Sequence, residues 1–187
     1  MKVDFQNLWF TADLHLGHKK VIEYDKRPFS SIEEHDESLL SNWNSRVQPV
    51  DHVFVLGDFS FAPPSKYLGR LKGTKYLIRG NHDVKTGGFS QVFDYLDLKV
   101  LNENYENPYT KYQHLCLFHY PIAEWNKAHR GSIHLYGHTH GNSWFDGVFA
   151  PVYKCINVGS PVCDYAPISY EEVLKRVSQK GIVSHNG

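Results

Sequence analysis

Five short polar clusters each follow an apolar, strand-like segment, and this arrangement constrains the fold more than any other feature of the chain. The apolar segments are residues 8–12, 52–56, 75–79, 115–118 and 133–136. The polar clusters that follow them are residues 13–15, 57–58, 80–83, 119 and 137–140. Strands that alternate with helical segments are typical of an α/β fold with buried sheets. In such folds ligands bind where loops leave the carboxyl ends of the strands, so the clusters are expected to form one site.

Helical segments and further strands fill the rest of the chain. Expected helices cover residues 31–46, 122–129 and 169–179, and a short one begins at Pro64 and ends at Gly73. Further strands are expected at residues 97–103, 111–118 and 153–157. Ser31 with Glu34 forms a capping box at the start of the first of these helices.

Length and composition predict one domain that spans residues 1–187, because this length suits one buried core and is short for two. The 20 basic and 20 acidic residues balance, so the chain as a whole is not an electrostatic nucleic-acid binder. Cys116, Cys155 and Cys163 contain no C-x-x-C pair, which favours a reducing compartment over a disulfide framework. Residues 1–7 lack the pattern of a signal peptide, and no apolar segment is long enough to span a bilayer. We therefore expect a cytoplasmic protein with no membrane partner.

The clusters contain side chains that suit a divalent metal centre. The candidate ligands are Asp13, His15, Asp58, Asn81, His119, His138 and His140. A mixture of oxygen and imidazole ligands without thiolates suits Mn²⁺, Fe²⁺ or Zn²⁺ and argues against a structural zinc site. A carboxylate can bridge two ions, and Asp58, which follows Gly57 at a strand end, is the candidate bridge. Two adjacent ions that share a carboxylate are a known device for attacking phosphate esters.

Each cluster alone is weak evidence. A D-x-H triplet occurs by chance, a Gly-Asp pair is usually a turn, and a single strand-end histidine such as His119 is more often a packed core residue. The Gly137–His140 segment, with two histidines in a tight turn, is stronger. The order, residue types and strand-end positions of the five clusters together favour a metal site.

The complete series of clusters resembles the motifs of the calcineurin-like metallophosphoesterases. The matching stretches are FTADLHLGH from Phe10, LGD from Leu56, RGNHD from Arg79, FH from Phe118 and YGHTH from Tyr136. The finer resemblance is to small bacterial and phage phosphoesterases. The resemblance implies an α/β fold, specifically a four-layer α/β/β/α sandwich with two mixed sheets.

The same resemblance implies two divalent ions and a set of roles. One ion would be held by Asp13, His15, Asp58 and His140, and the other by Asp58, Asn81, His119 and His138. Mn²⁺ is the favoured metal, with Fe²⁺, Zn²⁺, Ni²⁺ or Co²⁺ as alternatives. His82 would act as a proton donor or transition-state contact, and Asp83 would orient it.

Three further residues are candidate substrate contacts. His18 could contact phosphate or could cap the following helix, and the sequence favours neither role. Arg27 and Arg79 could contact phosphate, although a salt bridge at the rim is the more common role for such arginines.

Departures from other branches of the superfamily narrow the expected activity. Phe61 stands where purple acid phosphatases carry a tyrosine ligand, and Asp83 stands where protein phosphatases carry a glutamate. The expected activity is metal-dependent hydrolysis of a small phosphate ester, with a phosphodiester such as a nucleotide or a cyclic nucleotide favoured over a monoester. A nuclease acting on nucleic-acid ends is the less favoured alternative. A catalytically silent binding module is a further alternative, which the intact His82 argues against.

Overall fold

Two mixed sheets form the centre of the fold in the computed structural model, which describes residues 1–3, 7–102 and 111–183. The strands are β1 Lys2–Val3, β2 Leu8–Thr11, β3 His52–Leu56, β4 Thr74–Ile78, β5 Gln91–Phe93, β6 Leu96–Leu101, β7 Tyr112–Leu117, β8 Ile133–Tyr136, β9 Cys155–Asn157 and β10 Ile168–Ser169. One sheet has the order β10-β2-β3-β4-β5, and the other has the order β1-β6-β7-β8-β9. β10 runs antiparallel to β2 and β6 runs antiparallel to β7, whereas the remaining neighbours are parallel.

Four α-helices accompany the strands in the described part of the chain. They are α1 Val21–Tyr24, α2 Ile32–Arg46, α3 Ser65–Leu68 and α4 Tyr170–Val177. α2 begins where the Ser31 side chain accepts a hydrogen bond from the Glu34 amide at 3.1 Å, as the capping box predicts. The Glu34 carboxylate accepts its own hydrogen bond from the amide of Ser30 rather than from Ser31. Short 3₁₀ turns at Ala128–Arg130 and Ser160–Val162 and a π-helical turn at Phe145–Phe149 complete the helical structure.

The apolar side chains divide into three layers of packing. Residues of both sheets, including Phe10, Phe54, Leu98 and Leu135, meet in the central core. The opposite face of the β2–β3–β4 sheet packs against α2 and α3, with Trp43 fully buried. The outer face of the other sheet packs against short turns instead of long helices, through side chains such as Trp125 and Phe145 in contact with Tyr136. The predicted α/β fold with two mixed sheets is therefore confirmed, and in the described residues short 3₁₀ and π-helical turns form the layer outside the β7–β8 sheet.

The element boundaries follow the sequence closely in some places and depart from it in others. The strands at residues 52–56 and 133–136 have the predicted bounds. The helix predicted at residues 122–129 is wrong, because Lys127 adopts a left-handed backbone (φ 61°) and only a 3₁₀ turn follows it. The predicted strand at residues 97–103 is observed as Leu96–Leu101, and residue 103 lies outside the described residues. Among the described helices none is both long and apolar enough to cross a membrane.

Candidate metal centre

The polar clusters lie at the carboxyl ends of parallel strands from both sheets. β2, β3 and β4 lead to the clusters around Asp13, Asp58 and Asn81 in one sheet, and β7 and β8 lead to His119 and His138 in the other. The first two loops are joined directly, since the Asp13 amide donates to the Gly57 carbonyl at 3.0 Å and the His15 amide donates to the Asp58 carbonyl at 2.9 Å. Side chains from separate loops can therefore converge at one edge of the sandwich.

One group of donors comprises Asp13, His15 and His140. The Nε2 atoms of His15 and His140 lie 3.1 Å apart, and His140 Nε2 is 3.7 Å from an Asp13 carboxylate oxygen. The three side chains present ligand atoms within 4.8 Å of one another. Two ligands on one ion are separated by about 3.0–3.5 Å when each metal bond is about 2.1 Å long. These separations suit a single metal ion.

A second group contains Asp58, Asn81, His119 and His138. The Asn81 side-chain oxygen is 3.0 Å from His119 Nε2 and 3.0 Å from His138 Nδ1. One Asp58 carboxylate oxygen lies 3.7 Å from His119 Nε2 and 3.6 Å from His15 Nε2, a ligand of the first group. Asp58 therefore lies between the two groups, in the position that a carboxylate bridging two metal ions would occupy.

The hydrogen-bond partners of the imidazole nitrogens indicate that a cation fits among these ligands. His119 Nδ1 donates to the Leu56 carbonyl at 2.8 Å, so the lone pair of Nε2 points into the site. That lone pair faces the Asn81 oxygen, which is also an acceptor, and two facing acceptors repel unless a cation lies between them. His15 Nδ1 is buried without a hydrogen-bond partner among the described residues, while Nε2 faces the carboxylates. The donor set is therefore compatible with bound divalent metal.

Burial favours the neutral form of both Asp13 and His15. Burial raises the pKa of Asp13 to about 6, against the lowering effect of His140 and His119. Burial, followed by the charges of His140 and Arg27, lowers the pKa of His15 to about 2, so the imidazole is neutral. A neutral imidazole is the form that binds metal, and a nearby cation would favour the charged form of Asp13.

The backbone at the candidate ligands is held in a conformation that is uncommon for these residues. The φ angles lie between 49° and 70° at Asp13, His15, Asp58, His138 and His140. These values fall in the left-handed region, where residues with a Cβ atom are disfavoured. Such backbone strain concentrates at functional sites and persists only where the surrounding structure imposes it.

Glycines next to the candidate ligands allow the loops to approach one another. A Cβ atom on Gly80 would lie 2.4 Å from an Asp58 carboxylate oxygen, and one on Gly137 would lie 2.7 Å from an Asp13 carboxylate oxygen. At Gly57, where φ is +89°, a Cβ atom would lie 2.2 Å from His119 Nδ1. The absent side chains therefore leave the room that the ligand side chains occupy.

Arg27 is placed differently from its predicted role as a phosphate contact. Its side chain is buried and donates to the carbonyl oxygens of Asp13 and Leu14 and to the Asp25 carboxylate. The guanidinium is engaged by these partners, and its ion pair with Asp25 corresponds to the salt-bridge alternative rather than to a phosphate contact. Arg27 instead ties the first candidate metal loop to the segment that follows it.

Asp25 is a residue of the site that the sequence does not reveal. Its carboxylate lies 2.7 Å from His140 Nδ1 and accepts two hydrogen bonds from Arg27, at 2.9 and 3.0 Å. Although burial opposes a charge on His140, the hydrogen bond with Asp25 and the charge of Asp13 raise its pKa. A carboxylate on the outer nitrogen of a ligand histidine fixes the ring orientation and increases its basicity. Asp25 is therefore suited to support His140 as a ligand.

Asp83 and His82 lie in the loop after β4 but have separate environments. The Asp83 carboxylate accepts hydrogen bonds from the amides of Asp58, Phe59 and Gly80, at 2.7, 3.0 and 2.8 Å. Asp83 thus fixes the backbone of two loops, and these contacts do not include the His82 imidazole that it was predicted to orient. The His82 amide donates to an Asp58 carboxylate oxygen at 2.9 Å, and its side chain is exposed beside the candidate ligands.

Comparison with known proteins agrees with this geometry. The family model described as calcineurin-like phosphoesterase matches residues 7–142. The chain belongs to this family. It is 30% identical over 187 residues to the uncharacterized protein MJ1445 of Methanocaldococcus jannaschii, covering 97% of both chains. It is 29% identical over 161 residues to the gene 66 protein of Mycobacterium phage L5, covering 72% of this chain and 77% of the phage protein.

A solved structure supports the fold. The chain resembles a protein of unknown function, AQ665 from Aquifex aeolicus, with a TM-score of 0.68 and 24% sequence identity. The match covers 90% of this chain and 97% of the Aquifex protein. The two-sheet architecture described above is therefore shared with this solved structure.

Aromatic side chains form one rim of the site in this member of the family. The His18 ring stacks on Phe61 with 3.8 Å between centroids, and Phe61 is 47% exposed beside His82. The buried Nδ1 of His18 has no hydrogen-bond partner among the described residues, so no side-chain cap of α1 is observed through this atom. Arg79, the other predicted phosphate contact, lies 3.7 Å from the exposed carboxylate of Asp94.

Proposed function

We propose that the protein is a metal-dependent phosphoesterase that uses two divalent ions to hydrolyse a phosphodiester. The observation that carries this proposal is the convergence of acceptor atoms in two groups that share Asp58. The proposed ligands of one ion are Asp13, His15, Asp58 and His140, and those of the other are Asp58, Asn81, His119 and His138. Mn²⁺ is the favoured metal, and Fe²⁺, Zn²⁺, Ni²⁺ and Co²⁺ are the alternatives.

The chemistry divides between the ions and the side chains around them. Ions bound in such a centre supply a Lewis acid and a hydroxide nucleophile at neutral pH. The exposed His82 imidazole is proposed to donate a proton to the leaving alkoxide. Its amide is bonded to Asp58 and Asp83 fixes the surrounding backbone, so the imidazole starts from a defined position next to the site.

The surroundings of the site favour a substrate that carries an aromatic base. Phe61 and Tyr24 are exposed on the side of His18, and the half-exposed Tyr120 lies against His138 with 4.7 Å between ring centroids. A base that stacks on an aromatic side chain gains about 1–3 kcal/mol. Asn81 and His138 are also exposed, so the second group of candidate ligands is open to a substrate. The proposed substrate class is therefore a nucleotide or cyclic nucleotide diester, with a monoester as the alternative.

Hydrolysis assays with defined substrates test this proposal. The protein loaded with Mn²⁺ is expected to hydrolyse bis(p-nitrophenyl) phosphate faster than p-nitrophenyl phosphate, and cyclic nucleotides faster than aliphatic diesters. A single-stranded oligonucleotide with free ends serves as the comparison for nuclease activity. Absence of hydrolysis of every ester, together with absence of bound metal after dialysis against Mn²⁺, would contradict the proposal.

Two substitutions separate metal binding from proton transfer. Asp58→Asn is expected to reduce turnover to background and to lower the metal content measured by elemental analysis. Asparagine tolerates the left-handed backbone that Asp58 adopts (φ 55°), so this variant tests the carboxylate rather than the backbone. His82→Gln is expected to lower kcat by about 10²–10⁴-fold with the metal content unchanged. The matched control, His129→Gln on the exposed turn at Ala128–Arg130, should retain full activity.

The proposed location is the cytoplasm. Cys116, Cys155 and Cys163 are all buried free thiols, which suits a reducing compartment. The proposed partner is the small phosphate-ester substrate.

A further inference from the structure

A row of basic side chains crosses the outer face of the β1–β6–β7 sheet. Lys2 on β1 pairs directly with Lys99 on β6, and Lys99 pairs directly with His114 on β7. Lys99 alternates with Leu98 and Val100, which point into the central core, so it lies on the opposite face of the sheet. Like charges directly opposite one another on neighbouring strands are destabilising. The row therefore places the Lys2 and Lys99 ammonium groups opposite each other on neighbouring strands.

Two further cations complete the cluster. Lys127 Nζ lies 3.2 Å from His114 Nε2, and Arg130 follows in the same 3₁₀ turn. Burial, followed by the charges of Lys127 and Lys99, lowers the pKa of His114, which keeps its imidazole neutral and able to accept from Lys127. The four lysine and arginine side chains form no ion pair with a described residue.

Asp97 is an acidic side chain that acts on the cluster, where its charge opposes the lowering of the His114 pKa by Lys127 and Lys99. Asp97 lies two residues before Lys99 on β6, and its carboxylate accepts hydrogen bonds from the Tyr95 hydroxyl at 2.7 Å and from Asn126 at 3.0 Å. Both partners are neutral, and Asp97 is absent from the residues that line the cavity described next. Within the described residues the cluster therefore keeps a net positive charge.

The basic side chains surround a cavity of about 670 Å³. Its lining includes Lys2, Lys99, His114, Lys127 and Arg130, and none of the described lining residues is acidic. Cavities of roughly 300–1,000 Å³ are the usual size for small-molecule and cofactor sites. Four cations around one cavity of this size suit a compact ligand with several negative charges, and Arg130 adds the planar fork that matches phosphate oxygens.

We propose that this cavity binds a small anion that carries two or more linked phosphate groups. The cavity is separate from the candidate metal centre. His114 and His119 lie on the same strand and its following loop, and five residues of extended chain span about 17 Å. The proposed ligand therefore binds at the opposite end of β7 from the metal ligands. The proposal does not depend on the phosphoesterase activity, because binding can be measured without metal.

Calorimetric titration with inorganic tripolyphosphate tests the site. The full chain in EDTA and 0.15 M salt is expected to bind one tripolyphosphate, with inorganic monophosphate at least tenfold weaker. Lys99→Met combined with Arg130→Gln should weaken tripolyphosphate binding at least tenfold. The matched control, Lys66→Met combined with Lys175→Met, removes two cations from α3 and α4, which do not line the cavity. It should leave the affinity unchanged. Equal affinities in the two double variants would overturn the proposal.

Thermal unfolding provides a second measurement. It distinguishes a ligand-binding role of Lys99 from a purely structural one. Because the Lys99 ammonium faces that of Lys2, Lys99→Met should raise the Tm in the absence of anion and should diminish the increase in Tm that tripolyphosphate causes. A lower Tm for Lys99→Met without anion, together with an unchanged response to tripolyphosphate, would contradict the proposal.

A comparison of phosphate sources decides the class of ligand. A nucleoside triphosphate should bind about as tightly as tripolyphosphate. A single-stranded oligonucleotide should bind more weakly at the same salt concentration, because the cavity is confined to one end of one sheet. Tighter binding of the oligonucleotide, lost in the Lys99→Met and Arg130→Gln variant, would overturn the assignment to a small anion.

Discussion

The left-handed backbone at five candidate ligands limits what these positions can tolerate. A non-glycine residue in this region costs of order 1–3 kcal/mol, and asparagine and aspartate carry the smallest penalty. Asp13 and Asp58 therefore combine a suitable ligand with a tolerable backbone, whereas the histidines at positions 15, 138 and 140 bear the larger cost. Side chains on such a backbone already have the orientation that binding requires, so less conformational reorganisation accompanies ligand binding.

Removal of the carboxylate behind His140 tests how the ligands are supported. Asp25→Asn is expected to weaken Mn²⁺ binding about 10–100-fold, because the amide cannot hold the outer nitrogen of His140 as a carboxylate does. The affinity is measured by calorimetric titration of protein stripped of metal. Asp164→Asn, which removes the charge of an exposed aspartate outside the candidate ligands, is the control and should bind Mn²⁺ normally. Unchanged affinity in Asp25→Asn would show that Asp25 has no part in metal binding.

The close approach of the loops at Gly80 predicts a second effect. Gly80→Ala places a Cβ atom against the Asp58 side chain and amide, at 2.4 and 2.7 Å, so the loop must move. We expect a loss of about 1–3 kcal/mol in the free energy of unfolding, measured with urea, and weaker Mn²⁺ binding. Gly87→Ala meets no atom within 4 Å and serves as the control. Equal stability of the two variants would mean that the loop absorbs the extra methyl group without cost.

Individual residues differ in how far the sequence reveals them. The seven candidate ligands stand out because each follows an apolar segment and matches a motif. Asp25 has neither property, and its relation to His140 depends on a contact between residues that are distant in sequence. The surroundings of Arg27 are also not visible in sequence, because its bonds to the carbonyls of Asp13 and Leu14 join residues more than ten positions apart.

At the scale of elements, Trp43 is one of the buried side chains through which α2 packs against its sheet. The Trp43 side chain is fully buried and its Nε1 donates to the Lys72 carbonyl at 3.0 Å. Trp43→Ala is expected to lower the free energy of unfolding by about 3–5 kcal/mol, because it leaves a cavity and an unpaired carbonyl. Trp144→Ala, at a tryptophan that is 68% exposed, should change stability by about 0.5 kcal/mol or less. Denaturant unfolding of both variants checks the difference.

Elements with a strong local pattern were predicted well, and those that depend on tertiary contacts were not. β3 and β8 are continuous apolar segments, so their ends are visible in sequence. β5 has only three residues, none of them fully buried, and exists through its pairing with β4. The turn at Ala128–Arg130 replaces a predicted helix because the backbone reverses at Lys127, a position whose residue type gives no such signal.

At the scale of the whole molecule, metal binding is expected to stabilise the fold. Because the candidate ligands come from both sheets, the unfolded chain cannot present them together. Saturating Mn²⁺ at about 100 times its Kd should raise the free energy of unfolding by about 2.7 kcal/mol for each site. Thermal denaturation in EDTA and in Mn²⁺ measures this change. Asp58→Asn should show a much smaller increase, and an equal increase in that variant would indicate binding elsewhere.

The two imidazole nitrogens that face each other at 3.1 Å belong to His15 and His140, which are 125 residues apart in sequence. A folding intermediate with only the β2–β3–β4 sheet holds carboxylates and one imidazole, but not the three imidazoles of the later loops. Such a half-site would hold a divalent ion weakly. Tight metal binding would then indicate that the two sheets have packed together. Only fully folded chains would be able to hydrolyse a substrate.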